Sequence, residues 1–180
     1  MHYLMLDQCR SWAATNGVQL DPAGRPIQIS NRFSHVRFLL PQTPGQLTWL
    51  CRFISRCLEP RSECLLWVTE TGVWPSSENW HVYYRLRQSY GDLRQLQEAP
   101  GHLFLNYESA DLATFLQVGL VHGWDMFVLP RLDYGGPGTA QAFISHDEWV
   151  LLSHREASTV AEWHHELQGA EYRFLEVGAA

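Results

Sequence analysis

The sequence predicts a single α+β domain with helices packed on a mixed sheet, and three observations carry that expectation. A chain of 180 residues lies within the size that one hydrophobic core still serves. Its segments alternate between helical and extended patterning over most of the length. Two extended apolar stretches, TAQAFIS and EWVLLSH, then follow one another across a short turn, as in an antiparallel hairpin. That late hairpin places α+β ahead of its alternative, an α/β open sheet of the doubly wound kind.

Taken in order, residues 3 to 15 (YLMLDQCRSWAAT) read as a helix with Leu4, Cys9 and Trp12 among its apolar positions, stopped by Asn16 and Gly17. FSHVRFLL, residues 33 to 40, is bulky, loosely alternating and followed by Pro41, which favours a strand. The second helix has the clearest start in the chain. Thr43 is placed as its N-cap and Pro44 at its first position, and Leu47, Leu50, Cys51, Ile54 and Leu58 recur at helical spacing. ECLLWVTE, residues 63 to 70, is a continuous apolar run of the kind expected for a strand covered on both faces, and is expected to be central.

Pro75, Ser76, Ser77 and Glu78 form a helix entrance, after which Trp80, Tyr83, Tyr84, Arg87 and Tyr90 fall three and four residues apart. An aromatic stripe of that spacing packs on a core, with tyrosine hydroxyls at its rim. Ser109 is expected to cap a helix that ends at Gly123, with WDMFVLP following as a buried strand. DYGGPG then connects to the hairpin; EASTVAEWHHELQG reads as a last helix and EYRFLEV as a closing strand or extended tail.

Hydrophobic residues make up 46% and aromatics 13% of the chain, enough to build a core without staples. Cys9, Cys51, Cys57 and Cys64 lack CxxC spacing and sit mostly in apolar patterns, where thiols are buried and inert. The longest apolar runs fall far short of the ~20 residues that cross a bilayer, so neither a membrane span nor secretion is expected, and the expected location is cytoplasmic. The net charge of -6 comes from 13 arginines, with no lysine, against 19 acidic residues. Because the arginines form no block, a nucleic-acid partner is not expected; the acidic balance suits a protein partner with a basic surface.

No motif assembles a reaction centre. The histidines of HHE at 164 to 166 are adjacent, unlike the one-turn spacing of HExxH, and no GxSxG elbow or phosphate-binding loop occurs. No cofactor is therefore expected. In size, charge and missing motifs the chain resembles bacterial immunity proteins, which implies neutralisation of a toxin or effector partner; no residue pattern carries that resemblance. The residues expected to meet a partner are Glu70, Trp74, Glu78 and Trp80 around the helix entrance, and Asp125, Asp133 and Tyr134 around a second junction. Two alternatives remain: a metal-dependent hydrolase using His146, Asp147 and His154, and a scaffold subunit that self-associates.

Overall fold

The computed structural model describes residues 1–58, 62–71, 80–131 and 140–176. Five helices pack on a seven-stranded sheet, as the α+β class requires. In chain order the elements are β1 (His2–Leu4), α1 (Leu6–Thr15), β2 (Ser34–Leu39), α2 (Pro44–Cys57), β3 (Glu63–Glu70), α3 (Trp80–Ser89), β4 (Gly101–Leu105), α4 (Ser109–His122), β5 (Asp125–Arg131), β6 (Ala140–Ser145), β7 (Trp149–His154) and α5 (Ala157–Gly169). The strand order is β1-β4-β3-β5-β6-β7-β2. Every pairing is antiparallel, so the parallel component expected of a mixed sheet is not there.

Alternation along the strands divides the core. Cys64, Leu66 and Val68 of β3, with Met126 and Val128 of β5, face the layer of α2, α3, α4 and α5. Leu65, Trp67, Phe127 and Leu129 face the other way, onto Cys9 and Ala13 of α1. Side chains of one strand point alternately to opposite faces, which is why a continuous apolar run marks a strand covered on both sides. Gly119 lets α4 close on β5, because a Cβ there would overlap the thioether of Met126.

Two boundaries differ from the sequence pattern, and the closing segment takes one of its two expected forms. Residues 2 to 4 form an edge strand on β4 instead of the first turn of a helix, because Tyr3 gains more by burying its ring against His102 and Phe115. The residue at the N-cap of α4 is Glu108, not Ser109; its carboxylate accepts the Leu105 N–H at 2.8 Å, and Ser109 is already helical. The closing segment is an extended tail along the outer edge of β2, where the Leu39 N–H donates to the Arg173 carbonyl and the Leu175 N–H to that of Arg37. That tail blunts an edge that would otherwise present unpaired backbone. The expected caps at Thr43, Gly17 and Gly123 are in place, with Gly17 and Gly123 both at positive φ.

None of the helices is long and apolar enough to cross a membrane among the described residues. All four thiols are free. Burial pushes Cys9, Cys51 and Cys57 up to about 12 and Cys64 higher still, which leaves them protonated at neutral pH.

Candidate functional site

Three local rules fail at one end of the sheet, and they fail together. β3 carries a register break between Val68 and Glu70, a bulge-type irregularity of the kind that re-aims the residue beyond it. Past the break, Glu70 stands opposite Asp125 of β5. Like charges directly across a strand pair are destabilising, so sequence chemistry alone would not place two carboxylates there. The adjoining β6–β7 hairpin closes on the pair Ser145 and Trp149 through the turn His146-Asp147-Glu148. Its third residue, Glu148, sits at φ 63°, a left-handed position that glycine or asparagine fills at lower cost.

The three irregularities converge on one cluster. Among the described residues, Glu70, Asp125 and His146 are the group whose ligand-type atoms lie within 4.8 Å of one another. Asp125 accepts the backbone N–H of His146 at 2.7 Å, and the same oxygen accepts the ring N–H at Nδ1 at 2.9 Å. That fixes the imidazole with Nε2 outward, 3.5 Å from the Asp147 carboxylate. The hydrogen bond to Asp125 and the surrounding negative charge of Asp125, Asp147 and Glu70 raise the His146 pKa above its ordinary value. The end of the sheet therefore favours a positive charge.

A groove of about 460 Å³ opens beside His146. Leu40, Leu47, Leu120 and Val121 supply its apolar walls, and Gln42 and Glu148 join His146 on its polar side. Val121 is 64% exposed at the groove's edge.

A second polar cluster lies inside the fold. Arg87 of α3 is fully buried, donating to the Tyr83 hydroxyl at 2.6 Å and to the Ala99 carbonyl at 3.0 Å, with its guanidinium over the Tyr3 ring at 4.3 Å. Asp92 lies 3.6 Å from it. Burial acts to raise the Asp92 carboxyl, but the hydrogen bonds from Arg94 and the charge of Arg87 outweigh it and hold the group low. Tyr83 accepts from Arg87, so its own proton goes to His102 Nε2 at 2.8 Å, leaving His102 neutral. Burial, reinforced by the Arg87 charge, drives the His102 pKa down to about 3. This cluster ties α3 to β4 and to the edge strand β1.

Of the residues expected to meet a partner, Glu70 and Asp125 are brought together. Trp80 instead packs edge-on against Trp124 at 5.6 Å and tilted against Tyr84, which makes it part of the helix anchor. Trp74, Glu78, Asp133 and Tyr134 lie outside the described residues, as do the serines of the helix entrance and the DYGGPG connection. The expected metal set separates. His146 and Asp147 are at one end of the hairpin and His154 at the other, where it bonds the Glu156 N–H and stacks edge-on with Trp163. Six extended residues of β7 put those ends about 20 Å apart. His164 stacks on Phe174, away from both.

Sequence reasoning assigned His146 to one hypothesis and Glu70 and Asp125 to another; the signal that joins them is topological, since antiparallel neighbours bring the end of β3, the start of β5 and the β6–β7 turn to the same side. Comparison with protein-family models, with curated proteins and with solved structures finds no match to this chain.

Proposed function

We propose that the protein is a non-enzymatic binding domain that uses Glu70, Asp125, His146 and Asp147 to receive an arginine or lysine side chain of a basic protein partner. The observation that carries this reading is the convergence of Glu70, Asp125 and His146 within 4.8 Å, built on two carboxylates placed opposite each other across a strand pair. A guanidinium would relieve that repulsion and bind both carboxylates at once. The apolar groove beside it suits the aliphatic stem and its neighbours. Neutralisation of a toxin or effector, as for immunity proteins, is one setting for such binding and rests on the sequence profile alone.

The probe is an acetylated, amidated arginine tripeptide titrated into the protein while the His146 ring resonances are followed. Saturable shifts that weaken several-fold in Glu70→Gln, and with rising salt, are expected. No shift at any concentration, or shifts indifferent to Glu70→Gln, would remove the reading.

The same cluster supports a second occupant, a divalent transition ion, because an imidazole and two carboxylates form a borderline N/O donor set. The basic side chain ranks first because it can bind the carboxylates without the imidazole, whereas an ion would need His146 deprotonated at Nε2, against the negative charge that raises its pKa. A zinc titration on the same resonances separates the two.

A further inference from the structure

The opposite end of the same hairpin carries the opposite charge. Where β6 begins and β7 ends, a pocket of about 270 Å³ lies between the 17–33 segment and the sheet. Arg32, from the turn before β2, and Arg155, directly after β7, both line it. Half of the arginines among the described residues pair with a carboxylate: Arg10 with Asp7, Arg25 with Asp21, Arg56 with Glu166, Arg87 and Arg94 with Asp92, and Arg131 with Glu63. Arg32 and Arg155 have no side-chain hydrogen bond or ion pair among the described residues, and no carboxylate lines their pocket. In a chain with six more acidic than basic residues, two guanidiniums at one concavity with no carboxylate partner among the described residues run against the average field.

The pocket is also built, since its walls are fixed by bonds that do not involve the guanidiniums. Gln141 of β6 donates to the carbonyls of Ile27 at 2.9 Å and Gln28 at 3.1 Å, tying the outer segment to the sheet. The buried Ser30 hydroxyl donates to Gln19 at 2.9 Å and accepts the Arg32 N–H at 3.3 Å, which sets the backbone from which Arg32 projects. His35 braces the turn further, with one ring nitrogen 3.0 Å from the Ser30 carbonyl and the other 2.8 Å from Ser153. Val18, Ile27, Phe33 and Ala140 make the remaining wall apolar.

We infer that this pocket binds a small organic anion, an apolar body carrying one carboxylate or phosphate, with Arg32 and Arg155 gripping the oxyanion. The volume falls just under the 300–1,000 Å³ range of sites for drug-sized ligands, so a ligand of fragment size fits. Two guanidinium forks match the planar oxygens of a carboxylate or the face of a phosphate, and the apolar wall takes the rest. This site is independent of the carboxylate end of the sheet and stands whether or not a basic partner binds there.

The test is calorimetric titration of the protein at low ionic strength with benzoate and with phenyl phosphate, which separate the two oxyanions. Inorganic phosphate, lacking the apolar body, and benzamide, lacking the charge, serve as controls. Saturable binding of at least one organic anion is expected, much weaker for both controls, reduced about tenfold or more in Arg32→Gln and in Arg155→Gln and unchanged in Arg85→Gln. Because neither pocket guanidinium holds the fold together, both variants should melt with the parent. Absence of saturable binding by either organic anion, binding retained in both pocket variants, or benzamide binding as tightly as benzoate would overturn the proposal.

Discussion

Two histidine and carboxylate clusters occupy the same protein in contrasting surroundings, and the contrast separates scaffold from surface. His102, with Tyr83, Arg87 and Asp92, is enclosed in the core beneath α3; every donor has a fixed acceptor except Arg87 Nε and the Tyr3 hydroxyl, and the imidazole is held neutral. His146, with Asp125 and Glu70, stands at the end of the sheet with its ring partly exposed and its pKa raised. Burial makes the first cluster a structural brace, since a charge that loses its partner there has no water to turn to. Exposure leaves the second cluster able to exchange its proton for another cation. The same residue types thus serve opposite ends according to how much water reaches them.

The sharpest way to break that comparison is to remove one member of each cluster. Arg87→Met leaves the buried Ala99 carbonyl without its donor and Asp92 without one of its two cations, and should lower stability by about 3 kcal/mol, read by urea unfolding. Glu70→Gln should change it by less than about 1 kcal/mol and in the stabilising direction, because it relieves repulsion. Similar losses in both variants would erase the distinction.

The next effect is on pH. An unfolded histidine takes up its proton near 6.5, whereas folded His102 resists it down to about 3, so between those values the unfolded state binds more protons. Stability is then full above pH 6.5 and falls as the pH drops, by about 1.4 kcal/mol per pH unit for one such group. His35, half-buried and likewise lowered by burial, adds to the same slope. His146 acts in the opposite sense: its raised pKa stabilises the fold below 6.5, and that contribution disappears as pH rises through its folded value. Unfolding midpoints compared at neutral and mildly acid pH, in the parent and in His102→Gln, should show the slope shrink in the variant. An unchanged slope would contradict the brace.

A smaller effect sharpens the surface half. Asp125→Asn removes the negative acceptor of His146 and should return its titration toward the ordinary value while lowering stability by about 1 kcal/mol or less. Smaller again, and of opposite sign, Glu171→Gly and Glu148→Gly should each stabilise by about 0.5–1 kcal/mol, since both glutamates hold a left-handed φ. Glu171 only terminates α5, whereas Glu148 borders the groove. Thermal melts together with peptide titration distinguish them: Glu148→Gly alone should alter binding.

The helices and strands were largely legible because periodicity, caps and glycine stops are local signals: Thr43 with Pro44, Gly17 and Gly123 lie where the pattern put them. Edge strand β1 was not, since three residues carry too little pattern to outvote the helix that follows and only the distant rings of Phe115 and His102 decide the matter. Of the carboxylate cluster, each member was recognised but not the company it keeps, because Glu70, Asp125 and His146 meet through strand order. Arg87 falls on the core-facing stripe with Tyr83 in the sequence pattern, but its pairing with Asp92 does not show there, because Asp92 lies beyond the end of the helix and meets it only once the following turn closes. The pocket arginines left no trace in the sequence at all, as their meaning depends on the carboxylates they do not meet.

Proton NMR titration of the histidine ring resonances between pH 5 and 8 tests the contrast most directly. His146 should titrate above the ordinary histidine value of about 6.5 and His102 should remain neutral across the whole range. Both rings titrating together near that ordinary value would contradict the account.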